Sequence, residues 1–337
     1  MSINYPVLMP ILAEFEIQPH AIRDLVDCEG GLSGAHTWRV DTDQNRFCLK
    51  LMPPDVSVNR LQAAHHAADQ RRQKGMHYLA GYQATAAGQT YVESDGRLWE
   101  LQTWMDGQPP TAPFTYPHQR GMFQAIAEFH ALHESPPRET APSPGIRTRL
   151  NLLDKWRDAY AQGPFPSLNG CGHPQWNSTL AQFLDSFVRY HARLGPLLSS
   201  LAHETYLLED CIADPRPDNF RFAGYQLTGL FDLGSMRWDN IALDVARLAS
   251  EVSEDGEVDW DTAMTEVNKL RPLTPSEERL AMVLDAANVL LTGLNWVQWL
   301  VVDGITFANC DHVSYRLAHI SARLEKIDRH PAWSLGS

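Results

Sequence analysis

The stretch from Leu207 to Ser250, LLEDCIADPRPDNFRFAGYQLTGLFDLGSMRWDNIALDVARLAS, decides the fold of this 337-residue chain. An apolar run comes first, then a loop rich in proline and acidic residues. Two short alternating segments follow, and the stretch ends in a helical pattern with one apolar face. We therefore expect a strand, a loop, a pair of strands and a helix in that order.

Two aspartates flank the predicted pair of strands. Phe220 and Phe222 alternate with polar residues on the first strand, and the segment from Leu227 to Phe231 returns as the second. Asp214 lies in the loop before this hairpin, and Asp232 follows directly after it. The sequence thus predicts one carboxylate at each end of a single hairpin.

The loop and the hairpin carry a set of residues that phosphoryl transfer can use. Asn219 lies five residues after Asp214, and Asp232 is followed by leucine and glycine. One carboxylate can accept the proton of a hydroxyl group, while the amide and the second carboxylate hold Mg²⁺. Each motif alone is more often a turn or a cap at a strand end. Their order along the chain, with a matching lysine far upstream, favours a phosphotransferase.

At this point the sequence resembles the aminoglycoside phosphotransferases and their choline and homoserine kinase-like relatives, which have a protein-kinase-like fold. The segment IADPRPDN aligns with the HxDxxxxN loop of that family. The resemblance implies that Asp214 is the catalytic base and that Asn219 and Asp232 are the metal ligands. It also implies that Asp239 and Asp244 brace the loop. Ile212 stands where the family usually has a histidine, whose main role is to support the loop.

A glycine-rich turn near the amino terminus is a candidate phosphate-binding loop. Backbone N–H groups in such a turn can lie over phosphates, although most glycine-rich hairpin turns are only turns. The pattern from Cys28 to Met52 predicts a strand, this turn, a strand, a second turn and a third strand. The candidate residues are Gly30, Gly31, Ser33 and Gly34.

Lys50 lies within an apolar strand, FCLKL, where Phe47 and Leu49 occupy the opposite face. A lysine in this setting either extends its ammonium group to solvent or binds an anion. Its distance from the glycine-rich turn resembles that of the family lysine that contacts the α- and β-phosphates of ATP. The resemblance therefore implies a nucleotide contact at Lys50.

The helix after this strand lacks a residue that kinase-like folds normally have. We expect it to run from about Ser57 to Lys74, with Ser57 as the N-cap. Kinase-like folds place a glutamate here to pair with the strand lysine, and this helix contains none. The available candidates are Gln62, His65, His66 and Asp69, of which Asp69 is the only acid.

The segment QTYVESDGRLWELQTWMDG reads as a hairpin with Asp95-Gly96 at its turn. In the relatives, the two lobes join just after such a hairpin. The resemblance implies that the backbone of Glu100, Leu101 and Gln102 binds the edge of the adenine ring.

Charge and composition restrict the partners. The net charge of -13 argues against nucleic acid or an anionic membrane, and it is compatible with a cationic small substrate. Five scattered cysteines fit neither a disulfide framework nor a zinc site, which favours a cytoplasmic protein. The apolar run from Ala281 to Val302 contains Asp285 and several amides, so we interpret it as a buried helix and expect no membrane span.

Three smaller features of the sequence suggest roles for individual residues. His130 and His133 are spaced like a metal pair, but no third ligand lies nearby in sequence, and packing histidines are the better interpretation. Asp239 is a candidate N-cap for the helix that follows it. Trp296 and Trp299 are either core residues or part of an acceptor pocket.

Together these features predict an α+β, two-lobed protein-kinase-like fold, with a small β-rich N-lobe (residues 1–104) and a larger, mainly helical C-lobe (105–337). The predicted activity is that of a small-molecule kinase, an ATP- and Mg²⁺-dependent phosphotransferase acting on a hydroxyl group. The acceptor stays open among an antibiotic, choline, homoserine, thiamine and a sugar. The alternative is a catalytically silent, kinase-like module that binds a nucleotide or metabolite, suggested by the absent helix glutamate and by Ile212.

Overall fold

The computed structural model describes residues 5–28, 34–134, 136–163, 165–168, 172–307 and 309–334. Two compact units make up the chain. The first unit comprises Met1–Pro110, Leu132–Glu134 and Asp218–Met236, and the second comprises Thr111–Ala131, Ser135–Pro217 and Arg237–Ser337. The lobe boundary that we place at residue 104 stays a prediction.

Ten strands occur in the described ranges: β1 (Ile22–Cys28), β2 (His36–Thr42), β3 (Arg46–Leu51), β4 (Val92–Ser94), β5 (Arg97–Thr103), β6 (Glu139–Ala141), β7 (Tyr206–Cys211), β8 (Phe220–Ala223), β9 (Gln226–Leu230) and β10 (Arg237–Asp239). Nine α-helices accompany them in the same ranges: α1 (Tyr5–Glu14), α2 (Val58–Gln73), α3 (Tyr116–Ala131), α4 (Pro144–Gln162), α5 (Asn177–Leu201), α6 (Ala242–Glu251), α7 (Trp260–Asn268), α8 (Pro275–Val297) and α9 (Cys310–Glu325).

The first unit is built on a five-stranded antiparallel sheet in the order β1-β2-β3-β5-β4. Residues alternate between its two faces, so one face of β3 carries Phe47 and Leu49 and the other carries Lys50. Apolar side chains of α1 and the segment after it cover the first face and form one core with the sheet. Lys50 of β3 and Glu100 and Gln102 of β5 consequently lie on the opposite face.

Helix α2 begins and ends where the sequence predicts. The side chain of Ser57 accepts a hydrogen bond from the backbone of Arg60, which satisfies one of the free N–H groups of the first turn. Gly75 follows the helix with a φ of 107°, a conformation that a side chain would disfavour. Six residues of the helix are buried, among them His65 and Arg71.

The predicted hairpin is present as β8 and β9 and belongs to the first unit. Two neighbouring segments hold it there. Leu230 exchanges backbone hydrogen bonds with residues 78 to 80, and Phe222 exchanges two with Gln108. This pairing positions the residues on both sides of the hairpin, Asn219 and Asp232, within the same unit as Lys50.

The second unit is mainly helical and contains α3 to α9 with a small sheet in the order β10-β7-β6. The proline-rich connector after α3 contributes the short strand β6. This larger helical unit and the antiparallel sheet of the first unit agree with the predicted α+β class.

Helix α8 is the long apolar segment singled out above. Thr274 and Glu277 form a complete capping box at its start. With the π-helical turn that follows it (Gln298–Val302), it is the one segment of the described chain long and apolar enough to cross a membrane. Within its most apolar window, 78% is buried inside the fold. This burial agrees with its interpretation as a core helix.

Candidate functional site

Lys50 is a buried cation of the first unit, with 6% of its surface exposed. Its Nζ donates a hydrogen bond of 2.6 Å to Oδ1 of Asp232, a residue 182 positions away in sequence. A buried ammonium group is costly unless it is paired and hydrogen-bonded. The fold therefore brings together the lysine and one of the two predicted metal ligands.

A second carboxylate faces Lys50 from the neighbouring strand. In the register of β3 and β5, Lys50 lies directly opposite Glu100, which is 3% exposed. Directly opposite residues of an antiparallel pair project to the same face of the sheet. Burial alone would lower the pKa of Lys50, but the carboxylates of Asp232 and Glu100 outweigh it and raise that pKa above its ordinary value.

Helix α2 reaches this pair through a histidine. Nε2 of His65 lies 2.9 Å from Oε2 of Glu100, and its Nδ1 lies 2.7 Å from the hydroxyl of Thr90. The ring also stacks on Tyr82, with 3.7 Å between the ring centroids. Helix, strand and lysine are thus joined in the order His65, Glu100, Lys50.

Asp69, the only acid of α2, does not pair with Lys50. It is exposed, and its carboxylate accepts a hydrogen bond from Gln73 one turn later on the same helix. Of the alternatives left open, a different acid rather than Asp69 therefore faces Lys50. Glu100 supplies the negative charge that the helix lacks. It lies on β5, about thirty residues after Asp69 in the chain.

Asp232 and Asn219 approach each other through the backbone of the hairpin. The N–H of Phe231 donates to the carbonyl of Asn219 at 3.1 Å, which fixes the start of β8 against the residue before Asp232. Asp232 itself has a φ of 64°, in the left-handed region that residues with side chains rarely adopt. Such conformations concentrate at functional sites.

Gly234 makes room for the ion pair. A Cβ atom at this position would lie 3.3 Å from Oδ1 of Asp232 and 3.8 Å from Nζ of Lys50. The glycine after Asp232 therefore lets the backbone approach the pair closely.

The predicted nucleotide-binding backbone is only partly described. Gly34 has a φ of 75° at the start of β2, whereas Gly30, Gly31 and Ser33 lie outside the described residues. In β5, the carbonyl of Leu101 accepts from Gln83 at 2.7 Å. Within the sheet, Glu100, Leu101 and Gln102 also pair with β3, so their contact with adenine stays a prediction.

Asp214 lies in the second unit, in the loop that follows β7. Nε of Arg247 donates to its Oδ1 at 2.8 Å, and Nε of Arg216 lies 3.7 Å from its Oδ2. The residue before it, Ala213, has a φ of 68°. Glycine would adopt this value without cost, so the loop stores strain next to the predicted base.

Asp244 braces this loop as the resemblance implied. Its carboxylate accepts hydrogen bonds from the backbone of Ile212 at 2.8 Å and of Ala213 at 2.6 Å. These bonds satisfy two buried N–H groups and hold Ala213 in its strained conformation. The side chain of Ile212 is fully buried and packs in the core.

His130 is a buried link between two acids. Its Nε2 lies 2.9 Å from Oδ2 of Asp244, and its Nδ1 lies 3.2 Å from Oε1 of Glu209. Burial alone would lower its pKa, but Glu209 and Asp244 outweigh burial and raise it. Cys211 and Asp244 are close enough to His130 for a metal cluster, yet burial raises the pKa of the Cys211 thiol and backbone groups occupy the Asp244 oxygens. His130 is thus a structural histidine.

Asp239 does not cap α6. Its Oδ1 accepts from Ser143 at 2.6 Å and its Oδ2 from the backbone of Gly145 at 2.7 Å, so it holds the start of α4. The N-cap of α6 is Ile241, which makes no capping bond with its side chain, and Oδ1 of Asn240 accepts from the N–H of Ala242 at 2.9 Å. The prediction that Asp239 caps this helix is therefore wrong.

The sequence did not indicate the roles of three side chains at these sites. Glu100 places a charge opposite Lys50, His65 binds Glu100, and Arg247 binds Asp214. Alternation along β5 indicates that Glu100 projects away from Leu101, and this was the available signal. Its pairing with Lys50 depends on a strand register that no local pattern encodes.

The comparison with known proteins gives one family and one fold. A model described as the phosphotransferase enzyme family (APH) matches residues 24–280. No curated protein sequence matches the chain significantly. Among solved structures, an aminoglycoside phosphotransferase from Alicyclobacillus acidocaldarius subsp. acidocaldarius DSM 446 aligns with a TM-score of 0.60 at 14% identity, over 98% of this chain and 97% of that one.

Two further structures are similar over nearly the full length. Spectinomycin phosphotransferase in complex with ADP and spectinomycin aligns with a TM-score of 0.64 at 10% identity, over 99% of this chain and 98% of that one. Amicoumacin kinase in complex with AMP-PNP and Ca²⁺ aligns with a TM-score of 0.58 at 12% identity, over 98% and 95%. These likenesses confirm the predicted two-lobed, protein-kinase-like fold class.

Proposed function

Since the chain belongs to the phosphotransferase enzyme family and is by that membership a small-molecule kinase, we propose that it uses ATP with Mg²⁺ to phosphorylate a hydroxyl group of a small molecule. ADP, AMP-PNP and Ca²⁺ accompany two of the similar structures, which supports a nucleotide and a divalent cation. A cytoplasmic location stays a prediction.

One observation carries the proposal furthest, the buried pair of Lys50 and Asp232. The two residues lie 182 positions apart, yet their charged atoms lie 2.6 Å apart. In phosphotransferases a lysine holds nucleotide phosphates while a nearby carboxylate holds the metal. We propose that Lys50 binds the phosphates of ATP and that Glu100 keeps its ammonium group in place.

The donor atoms fit a magnesium ion. Asp232 offers carboxylate oxygens and Asn219 an amide oxygen, and Mg²⁺ prefers such hard oxygen ligands. The Asp232 side chain is 42% exposed, which leaves it accessible. When bound, the ion would neutralise charge on the phosphates.

Asp214 is the proposed base. Its side chain is 37% exposed, and Arg247 fixes one of its oxygens at 2.8 Å. A carboxylate that is held in this way can orient an incoming hydroxyl group and accept its proton. The glycine-rich turn, comprising Gly30, Gly31, Ser33 and Gly34, is proposed to cover the phosphates with its backbone N–H groups.

The alternative, a silent binding module, rested on the absent helix glutamate and on Ile212. Glu100 provides a carboxylate opposite Lys50, and Asp244 binds the loop backbone at Ile212 and Ala213. Both features that suggested inactivity thus have a replacement in this structure, and this supports the proposal of an active kinase.

Asp214→Asn tests the proposal. It preserves the shape of the side chain but removes its ability to accept a proton, so phosphoryl transfer should fall by roughly 10²–10⁴-fold. Affinity for ATP, measured by calorimetric titration, should stay within a few fold of the parent value. Asp218→Asn, an exposed change of the same chemistry in the same loop, is the matched control and should keep the parent rate.

The two readouts separate the interpretations. A parent protein that binds ATP but transfers no phosphoryl group above the Asp214→Asn background, with any acceptor, is the silent module. If the variant loses ATP binding as well, Asp214 has a structural or metal-binding role and the loop assignment is wrong.

A further inference from the structure

The surroundings of Asp214 are positively charged, although the chain carries a net charge of -13. Arg247 and Arg216 approach its carboxylate, and Arg316 interacts with it electrostatically. The positive charges of Arg247 and Arg237 each repel that of Arg149. We call these residues the arginine cluster: Arg149, Arg216, Arg237, Arg247 and Arg316. The carboxylates that act on them are those of Asp214, Asp239, Glu251 and Asp285.

Three members of the arginine cluster have acidic partners: Arg216 lies 3.7 Å from Asp214, and Arg247 and Arg316 make shorter contacts. Arg247 binds Asp214 at 2.8 Å and Glu251 at 2.9 Å. Both terminal nitrogens of Arg316 donate hydrogen bonds to the carboxylate of the same Glu251. These contacts fix the planes of the two guanidinium groups and neutralise the charge of Glu251.

Arg149 and Arg237 differ from these three. Arg149 donates to Oδ1 of Asn288 at 2.6 and 3.1 Å and to the carbonyl of Gly145 at 2.9 Å, all neutral acceptors. Arg237 lies exposed on β10. Within the described part of the chain, neither guanidinium group has a carboxylate at ion-pair distance.

Like charges at these positions raise the free energy of the folded protein. Burial and the neighbouring Arg237 together lower the pKa of Arg149 to about 10, although Asp239 offsets part of their effect. A bound anion would relieve this repulsion and gain charge-assisted hydrogen bonds from guanidinium groups, whose planar shape matches carboxylate and phosphate.

The position of Arg237 connects this charge to the reaction. It pairs with Cys211 at the end of β7, three residues before Asp214. We propose that Arg149 and Arg237 bind an anionic group of the phosphoryl acceptor, so that the acceptor is a small molecule with both a hydroxyl group and a carboxylate or phosphate. This inference rests on the proposed function and reverses the sign of the acceptor charge expected from composition.

The reaction then balances without a further reagent. The acceptor oxygen forms a bond to the γ-phosphorus of ATP, and the bond from that phosphorus to the β,γ-bridging oxygen breaks. The products are ADP and the acceptor phosphate ester. The proton of the hydroxyl group passes to Asp214 and then to solvent.

Four small polyols test the acceptor charge while their shape stays nearly constant. Glycerate carries a carboxylate, glycerol 3-phosphate a phosphate, glycerol no charge, and 3-amino-1,2-propanediol an ammonium group. Calorimetric titration into the full chain with AMP-PNP and Mg²⁺, at constant ionic strength, should give at least about tenfold tighter binding for one of the anions than for glycerol. The tighter anion identifies carboxylate or phosphate as the recognised group.

Arg237→Gln should remove most of that preference, and Arg147→Gln is its matched control. Arg147 is an exposed arginine two residues before Arg149 on α4, so its replacement changes the net charge equally without touching the arginine cluster. Arg149→Lys keeps the charge but loses the planar fork, and it should weaken anion binding while the protein stays folded.

The outcomes distinguish this inference from the proposed function. The arginine site is overturned if the anions bind no more tightly than glycerol, or if their preference survives Arg237→Gln. This holds even if glycerol or 3-amino-1,2-propanediol is phosphorylated. Anion binding that depends on Arg237, with no transfer from ATP to any acceptor, upholds the site and refutes the kinase proposal instead.

Discussion

Replacing Glu100 with glutamine tests the most specific feature of the nucleotide site. Lys50 is placed between two carboxylates, with Asp232 at 2.6 Å and Glu100 directly opposite on β5. A metal that binds Asp232 competes with the ammonium group for the same oxygens. Glu100 gives Lys50 a second partner, so the lysine can leave Asp232 without becoming a buried, unpaired charge.

The size of the effect follows from the geometry. Directly opposite residues have Cβ atoms about 5 Å apart. At an effective dielectric constant of about 20, two unit charges at that separation interact by roughly 3 kcal/mol. A charge-assisted hydrogen bond has a similar value, about 1.5–3 kcal/mol. Because about 1.4 kcal/mol corresponds to tenfold, Glu100→Gln should raise the Mg²⁺ concentration for half-maximal activity by roughly 10–100-fold.

The assay is a coupled ADP measurement over a series of Mg²⁺ concentrations at saturating ATP. Glu93→Gln is the matched control, since it makes the same change on the neighbouring strand β4 at an exposed position. Thermal unfolding of both variants checks that the sheet is intact. If Glu100→Gln changes neither the Mg²⁺ requirement nor kcat/KM by more than about twofold, then Glu100 does not position Lys50 and the reasoning is refuted.

A double variant sharpens this test. Exchanging the two partners, His65→Glu with Glu100→His, moves the acid back onto helix α2 while the pair stays 2.9 Å apart in the parent geometry. The exchange should recover part of the activity that Glu100→Gln loses. Recovery would show that Lys50 needs a carboxylate at this place. Whether the helix or the strand supplies it would then matter less.

Two further predictions concern metal binding and acid stability. Asp232→Ala should abolish the dependence of ATP affinity on Mg²⁺ in calorimetric titration, and Mg²⁺ that still tightens ATP binding to this variant would exclude Asp232 as a ligand. Burial alone would raise the pKa of Glu209, but His130, Arg138 and Arg271 outweigh it and lower that pKa to about 2. Because the folded-state pKa lies below the ordinary 4.5, Glu209 stabilises the fold above about pH 4.5, and this contribution, roughly 3 kcal/mol, is lost as the pH falls towards about 2. The difference in unfolding free energy between the parent and Glu209→Gln should shrink over that range, and parallel urea curves would contradict it.

The sequence by itself determined the elements and the order of the motifs. Lys50 within an apolar strand and the Ser57 cap were both predicted, because each depends on residues within one turn or one strand. The loop of Asp214 and the hairpin that ends at Asp232 were predicted for the same reason. Such local patterns survive in any tertiary context that keeps the element.

Only the tertiary structure decided the partners of these residues. Glu100 replaces the absent helix acid because β3 pairs with β5 in one particular register, and Asp69 fails because the helix turns it to solvent. The spatial distribution of charge was the other property that the sequence alone did not show. The net charge is a sum over the whole surface, whereas binding depends on the few charges within a Debye length of the ligand, about 8–10 Å. Residues from α4, β10, α6 and α9 form a positive cluster beside Asp214 in an acidic protein because the fold, and not the sequence, brings those four elements together.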